Sequence, residues 1–125
     1  MVILITGKRG AGKTHYAKTL TGELQIDKID VVMIDADEYR EKTQNKDFSD
    51  AGRMRNLVGA AKLAAEFERQ GKVVIMAFIA PRRVWRTTMR QYWEESRIVY
   101  IPGGDLWEGT TYETPTDDEL QIRRN

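Results

Sequence analysis

Four apolar runs alternate with amphipathic or polar segments along this chain of 125 residues. The runs cover residues 2–6, 31–34, 73–79 and 97–101, and they are apolar almost throughout. Such runs predict strands that are buried on both faces, as in a parallel sheet. Helical spacing predicts helices over 13–24, 51–70 and 81–93, whereas 38–50 is polar and predicts an irregular loop. The alternation of strands and helices predicts an α/β fold with a mostly parallel sheet of four or five strands.

A glycine-rich segment joins the first predicted strand to the first predicted helix. It reads Gly7-Lys8-Arg9-Gly10-Ala11-Gly12-Lys13-Thr14 and fits G-x-x-x-x-G-K-[ST]. Its glycines let the backbone turn N–H groups toward a polyphosphate, and the helix N-terminus adds donors and partial positive charge. We expect Lys13 to reach the β- and γ-phosphates and the Thr14 hydroxyl to ligate Mg²⁺. The segment, with His15 beside it, predicts an ATP site in a three-layer P-loop NTPase fold.

Two carboxylates, Asp35 and Asp37, follow the second predicted strand. Ligands of parallel sheets bind at the carboxyl ends of the strands, so these acids should lie near the glycine-rich loop. Asp35 would support the metal, and Asp37 would orient an attacking hydroxyl and accept its proton. The alternative is a polar turn whose acids are merely solvated.

The third predicted helix combines arginines with aromatic residues. Guanidinium groups suit phosphate and sulfate oxygens, although a solvated basic face is the alternative for each arginine. The aromatic residues fit stacking on nucleic-acid bases, and equally core or dimer contacts. The residues are Arg82, Arg83, Arg86 and Arg90 with Trp85, Tyr92 and Trp93.

Composition adds little beyond these motifs. The net charge is +1, there is no cysteine, and no apolar run approaches the length of a membrane span. We therefore expect a cytoplasmic protein without a membrane partner, a thiolate metal site or a thiol nucleophile. Residues 1–104 predict the P-loop domain, and 105–125 predict a tail with little regular structure that packs on the domain or extends from it.

Four further segments carry a family resemblance. They are Asp35-Ala36-Asp37-Glu38-Tyr39-Arg40, Phe48-Ser49-Asp50-Ala51-Gly52-Arg53-Met54-Arg55-Asn56, Ala77-Phe78-Ile79-Ala80-Pro81-Arg82-Arg83-Val84-Trp85-Arg86 and Tyr112-Glu113-Thr114-Pro115. With the glycine-rich loop, they resemble the motifs of adenylylsulfate kinases, P-loop enzymes that phosphorylate the 3′-hydroxyl of adenylyl sulfate. The resemblance implies that Asp37 lies at the acceptor hydroxyl and that Phe78 stacks near the acceptor. It also implies acceptor contacts from Arg40, Arg53, Asn56 and Ile79.

The chain also departs from that family. Ala36, Gly52 and Ala80 replace a glycine, an aspartate and a serine of its motifs. The arginine-bearing lid that follows the fourth strand in the family is absent, since Ile101 leads through Pro102 into the tail. Such a lid excludes water and supplies cationic groups, so substitutes are expected. The candidates are Arg83, Arg86 and Arg90.

Together these features predict a kinase that transfers the γ-phosphoryl group of ATP, with Mg²⁺, to a hydroxyl of a nucleotide-like acceptor, first of all adenylyl sulfate. One alternative is a kinase acting on a polynucleotide end or a hydroxymethylated base in DNA. A second is a nucleotide-binding protein without turnover. Because the predicted sheet is short, we expect a homodimer formed through Trp85, Trp93 or Trp107.

Overall fold

A five-stranded sheet forms the middle layer of the computed structural model, which describes residues 1–106 and 109–125. The elements are β1 (Val2–Thr6), α1 (Lys13–Ile26), β2 (Val31–Asp35), α2 (Ala36–Thr43), α3 (Asp50–Arg69), β3 (Val73–Ala77), α4 (Arg83–Arg90), β4 (Glu95–Tyr100) and β5 (Arg123–Arg124). The strand order is β2-β3-β1-β4-β5, in which the first four strands are parallel and β5 is antiparallel to β4. The α/β prediction is confirmed.

Two apolar clusters hold helices to opposite faces of the sheet. On one face, side chains of β1 and β3 such as Leu4 and Met76 pack against α3 and α4. A run of alanines lets α3 approach the sheet closely; it includes Ala60, Ala61 and Ala64. On the other face, Ile5 and Ile75 pack against α1. Each fully buried large aliphatic side chain contributes about 1.5–3 kcal/mol, so these clusters supply the stability of the three layers.

The parallel register brings the ends of three strands to one edge. Ile5 of β1 lies opposite Ala77 of β3, and Asp35 of β2 lies opposite the same residue. The residues that follow these strands are therefore neighbours, although they are far apart in sequence. This edge carries the glycine-rich loop and the acidic segment.

The segment after β2 differs from its prediction. Residues 38–50 were expected to form an irregular loop, but α2 occupies Ala36–Thr43. Its Asp35 cap accepts hydrogen bonds from the backbone N–H groups of Asp37 and Glu38, which satisfies two donors that a helix start leaves unpaired. None of the α2 residues is buried, so apolar spacing gave no signal for this helix. The loop prediction is therefore wrong for 38–43.

The tail contains the fifth strand and is tied to the domain. The Tyr112 hydroxyl lies 2.9 Å from the Thr6 hydroxyl at the end of β1, and the backbone N–H of Glu113 donates to the Pro81 carbonyl. Residues 123–124 pair with β4. The described part of the tail otherwise has little regular structure, as expected, and β5 with its two residues adds a short antiparallel edge to the sheet.

Two of the three tryptophans that were expected at a dimer interface are buried inside the chain. Trp93 is buried, and its indole N–H donates to the Ala61 carbonyl at 2.9 Å. Trp85 is buried between α4 and α3, whereas Trp107 lies outside the described residues. The homodimer stays a prediction, but Trp85 and Trp93 do not supply its surface. Among the described residues, no helix is long and apolar enough to cross a membrane.

Candidate active site

The glycine-rich loop opens α1 with two residues in the left-handed region. Gly10 has φ 76° and Gly12, the residue before the helix, has φ 102°. A side chain at either position would be strained, so glycine is what allows the backbone to curl here. The Lys13 ammonium donates a hydrogen bond to the Lys8 carbonyl at 2.8 Å and so connects the two ends of the curled loop.

A cleft of about 570 Å³ lies over this loop. Burial lowers the pKa of the Lys13 ammonium below its ordinary value of 10.5, and the carboxylates of Asp37 and Asp35 act in the opposite direction. The lysine and both acids therefore influence one another electrostatically, as expected for residues that follow the carboxyl ends of parallel strands in one sheet. The cleft is lined by Arg9, Gly10, Gly12, Lys13, Thr14, His15, Asp35, Ala36, Asp37, Ala77 and Ile79.

Asp35 connects the glycine-rich loop to α2. One of its oxygens accepts a hydrogen bond from the Thr14 hydroxyl at 3.1 Å, and the other caps α2. A hydroxyl and a carboxylate at this spacing fit Mg²⁺, which takes few protein ligands and completes its shell with phosphates and water. Among the described residues there is no cluster of three or more acidic, His or Cys side chains that would form an all-protein metal site. The donor set thus fits a metal that arrives with a nucleotide.

A second, smaller pocket of about 120 Å³ adjoins the cleft. Asp37 and Ile79 line both spaces, so the exposed carboxylate of Asp37 stands at their junction. The residues that line the smaller pocket are Ala36, Asp37, Arg40, Phe48, Arg53, Asn56, Leu57, Phe78, Ile79, Ala80, Pro81 and Trp85. The predicted acceptor residues Arg40, Arg53, Asn56, Phe78 and Ile79 are therefore all brought together.

Buried polar and aromatic groups shape the smaller pocket. The Oδ1 atom of Asn56 is buried and has no hydrogen-bond partner among the described residues, so it offers an acceptor to a ligand's N–H or O–H. The Arg40 guanidinium lies 4.6 Å from the centre of the exposed Phe48 ring. The Arg53 guanidinium lies 5.6 Å from the Trp85 ring. Cationic and aromatic surfaces of this kind suit a nucleotide base and its phosphate.

The loop that carries Phe48 is organised by the carboxylate before it. The Asp47 carboxylate accepts hydrogen bonds from the backbone N–H and the hydroxyl of Ser49, and it forms an ion pair with the Arg55 guanidinium at 2.7 Å. The Ser49 bonds, reinforced by Arg55, lower the pKa of Asp47 from 3.8 to about 2. The Asp47 carbonyl also accepts from Arg40 at 3.2 Å, so one residue fixes the wall of the pocket.

Two arginines that were expected to act on substrate are structural. Arg86 is fully buried, and its two terminal nitrogens donate to the Ala80 and Glu113 carbonyls and to the Glu119 carboxylate, whereas its Nε has no partner among the described residues. Arg90 is also buried and donates to Ser96 and to tail carbonyls. The prediction that Arg86 binds substrate, and that Arg86 or Arg90 replaces a lid, is wrong because both side chains anchor the tail. Arg83 is half exposed and pairs with Glu119 at 3.3 Å.

Six residues that line the smaller pocket were not predicted as site residues: Ala36, Phe48, Leu57, Ala80, Pro81 and Trp85. Trp85 was assigned to stacking on nucleic acid, the core or a dimer, yet it lines this pocket between two arginines. Leu57 was read only as part of the apolar stripe of α3, and Pro81 only as a helix start. The local signal that was present is the position of Trp85 three residues after Arg82, the residue that precedes α4 and whose guanidinium lies 5.0 Å from the Trp85 ring.

Comparison with known proteins shows which family the chain belongs to. The model of the adenylylsulphate kinase family matches residues 1–103. The adenylyl-sulfate kinase of Bacillus licheniformis is 36% identical over 104 residues, which are 80% of this chain and 52% of that protein. The chain therefore spans about half the length of the curated relatives it matches.

Solved structures agree with this match. A hexameric APS kinase from Thiobacillus denitrificans has a TM-score of 0.78 and 27% identity, and the match covers 91% of this chain and 23% of that one. The Mycobacterium tuberculosis APS kinase CysC in complex with AMPPNP and APS has a TM-score of 0.76 and covers 81% of this chain and 61% of its own; at 23% identity it supports the fold alone. The P-loop fold is thereby confirmed, and the chain belongs to the adenylylsulphate kinase family.

Proposed function

We propose that this chain is an ATP-dependent kinase that transfers the γ-phosphoryl group to a hydroxyl of a nucleotide-like acceptor, with adenylyl sulfate as the substrate. The observation that carries the proposal is the position of Asp37, which lines both the phosphate-binding cleft and the adjoining pocket. Family relatives named adenylyl-sulfate kinases support the choice of acceptor. The smaller pocket supports it too, because it presents guanidinium groups and a free amide oxygen.

The donor side of the reaction uses the glycine-rich loop. Its backbone N–H groups and Lys13 hold the phosphates, and Thr14 with Asp35 would hold Mg²⁺. Mg²⁺ would neutralise charge that builds up on the phosphate oxygens. His15, Lys8 and Arg9 complete the rim of the loop in this proposal. Positioning and positive charge are the main requirements of phosphoryl transfer, and this edge of the sheet supplies both.

The acceptor side uses the smaller pocket. Phe78 and Trp85 offer apolar surface to a base, Arg40 and Arg53 offer charge to phosphate or sulfate, and Asn56 offers a buried acceptor atom. The acceptor hydroxyl oxygen forms a bond to the γ-phosphorus while the bond from that phosphorus to the β–γ bridging oxygen breaks. Asp37 accepts the proton of the hydroxyl. General base catalysis of this kind contributes about 10²–10⁴-fold to a rate.

A transfer assay with γ-labelled ATP and Mg²⁺ tests the proposal. We expect label on adenylyl sulfate, and a loss of about 10²–10⁴-fold in kcat for Asp37→Asn with little change in nucleotide affinity. Glu38→Gln is the matched control, because Glu38 is the next residue of α2, is exposed, and uses only its backbone N–H on Asp35. Equal rates for the two variants would contradict the role of Asp37.

Further acceptors separate the proposal from its alternatives. Label on plain or hydroxymethylated DNA, with affinity that falls steeply as salt rises, would indicate a polynucleotide kinase instead. Tight ATP binding without label on any acceptor would indicate a nucleotide-binding protein without turnover. The cytoplasmic location stays a prediction.

A further inference from the structure

The chain that follows β4 runs along the outside of the glycine-rich loop. The Ile101 N–H donates to the Thr6 carbonyl, and the Asp105 N–H donates to the Arg9 carbonyl, each at 2.9 Å. Arg9 and Asp105 form an antiparallel bridge. We call residues 101–105 the P-loop brace. It lies at the point where this sequence lacks the lid expected from its family resemblance.

The brace and the loop are too close for side chains at two positions. A Cβ atom at Gly7 would lie 2.6 Å from the Ile101 carbonyl oxygen. A Cβ atom at Gly104 would lie 2.6 Å from the Arg9 carbonyl oxygen and 3.0 Å from the Ala11 nitrogen. Both neighbours are backbone atoms, which have no other rotamer to adopt. Glycine at 104 is therefore required for contact with the loop, in addition to its φ of +76°.

The bond from Asp105 fixes the direction of a phosphate-binding donor. The Arg9 carbonyl and the Gly10 N–H belong to one planar trans peptide, in which C=O and N–H point in opposite directions. Because the Arg9 carbonyl is held by the brace, the Gly10 N–H is directed away from the brace, and Gly10 lines the cleft. A loop whose donors are already oriented binds phosphate without a further ordering cost.

We propose that the P-loop brace positions the glycine-rich loop for the phosphates of the donor nucleotide, with Gly104 as its positioning residue. The inference rests on the proposed function only in so far as the loop binds a nucleotide. It assigns to 101–105 a role in donor affinity and none in the acceptor pocket, which the brace does not line.

A pair of glycine variants isolates this role. Gly103 and Gly104 both have left-handed φ values, +89° and +76°, so alanine strains the backbone at either position. Only at Gly104 would the new Cβ meet the loop, since among the described residues nothing lies within 4 Å of a Cβ at Gly103. Gly103→Ala is thus the control for strain, and Gly104→Ala adds the displacement of the loop.

Calorimetric titration with Mg²⁺-ADP and steady-state kinetics provide the readouts. We expect the dissociation constant of Mg²⁺-ADP and the KM for ATP to rise at least tenfold in Gly104→Ala and less than threefold in Gly103→Ala. The KM for adenylyl sulfate should change little in either variant. Equal nucleotide affinities in the two variants would overturn the brace. A wild-type protein that binds no nucleotide would contradict both the proposed function and the proposed role of the brace. Nucleotide binding without turnover would contradict the proposed function alone.

Amide hydrogen exchange on the wild-type protein keeps the test informative if Gly104→Ala does not fold. Binding and brace closure are linked, so a nucleotide that prefers the braced loop must stabilise the brace by the same amount. We expect exchange at the Asp105 amide to slow at saturating Mg²⁺-ADP, while exchange at the Gly103 amide changes less. An unchanged Asp105 rate at saturation would overturn the inference.

Discussion

Arg86 offers the most direct test of how the tail is held to the domain. Its guanidinium is fully buried and donates to the Ala80 carbonyl at 2.7 Å, to the Glu113 carbonyl at 2.7 Å and to the Glu119 carboxylate at 3.1 Å. The substitution Arg86→Met keeps an unbranched side chain of comparable length but removes every donor. Two carbonyls then lose the Arg86 donor, and the largely buried Glu119 carboxylate loses one of its two arginine partners.

The expected cost follows from these contacts. Each hydrogen bond that involves a charged group is worth about 1.5–3 kcal/mol, and removing one member of a buried ion pair costs about 3–5 kcal/mol. These values do not add, because Glu119 keeps its pair with Arg83. We therefore expect the free energy of unfolding to fall by about 3–5 kcal/mol, a large part of the roughly 5–15 kcal/mol available to a small domain.

Arg83→Met is the matched control, because Arg83 pairs with the same carboxylate from a half-exposed position. An exposed ion pair is worth about 0–1 kcal/mol. Urea unfolding followed by fluorescence measures both variants, and with a slope near 2 kcal/mol per M the midpoint should fall by roughly 2 M for Arg86→Met and by less than about 0.5 M for the control. If Arg86→Met unfolds like the control while its kcat collapses, Arg86 acts on substrate and the structural role is wrong.

Three further predictions concern the loop, the pocket wall and α3. Lys13→Met should weaken ATP binding by roughly tenfold to a hundredfold in calorimetry. Burial lowers the pKa of Lys13, so the free energy of unfolding of the nucleotide-free wild type should increase as pH rises toward 10.5. Lys13→Met should not show this increase. Gly52→Asp should lower the melting temperature because its side chain would overlap both the side chain and the backbone carbonyl of Asp47. Asp47→Gly in the same chain should restore only part of that loss, because the carbonyl of residue 47 stays in place. Gly59→Ala should cost about 1–3 kcal/mol in urea unfolding because its methyl group would overlap the Tyr39 hydroxyl, and Tyr39→Phe should relieve much of that cost.

The parts of the fold that the sequence predicted are those with a local signal. The path from β1 through the glycine-rich loop into α1 depends on an apolar run and on glycines at fixed spacing. Its position could therefore be predicted from the sequence. Helix α2 was not, because it buries no residue and depends on the cap that Asp35 provides. The two-residue strand β5 has no pattern of its own and exists through pairing with β4.

The arginines of α4 show a second limit. Their spacing correctly predicts that Arg86 and Arg90 share a helix face, but spacing does not say what the face meets. Each of the two arginines has partners in the tail, and those of Arg86 lie 27 and 33 residues away in the sequence, one of them a backbone carbonyl. A buried guanidinium and a substrate-binding guanidinium therefore look alike in the sequence, and only the fold separates them.

The departures from the family motifs are likewise explained only by the structure. Gly52, which stands in place of an aspartate, reads in the sequence as a lost charge. In the structure, the Asp47 side chain fills the space that a side chain at position 52 would need, and its carboxylate binds Arg55 while its backbone holds Arg40. A carboxylate therefore lies beside position 52 and comes from the loop instead of the helix, although Asp47 does not itself line the smaller pocket. A missing motif residue is evidence of lost function only when the structure leaves its place empty, and here a neighbour occupies that place.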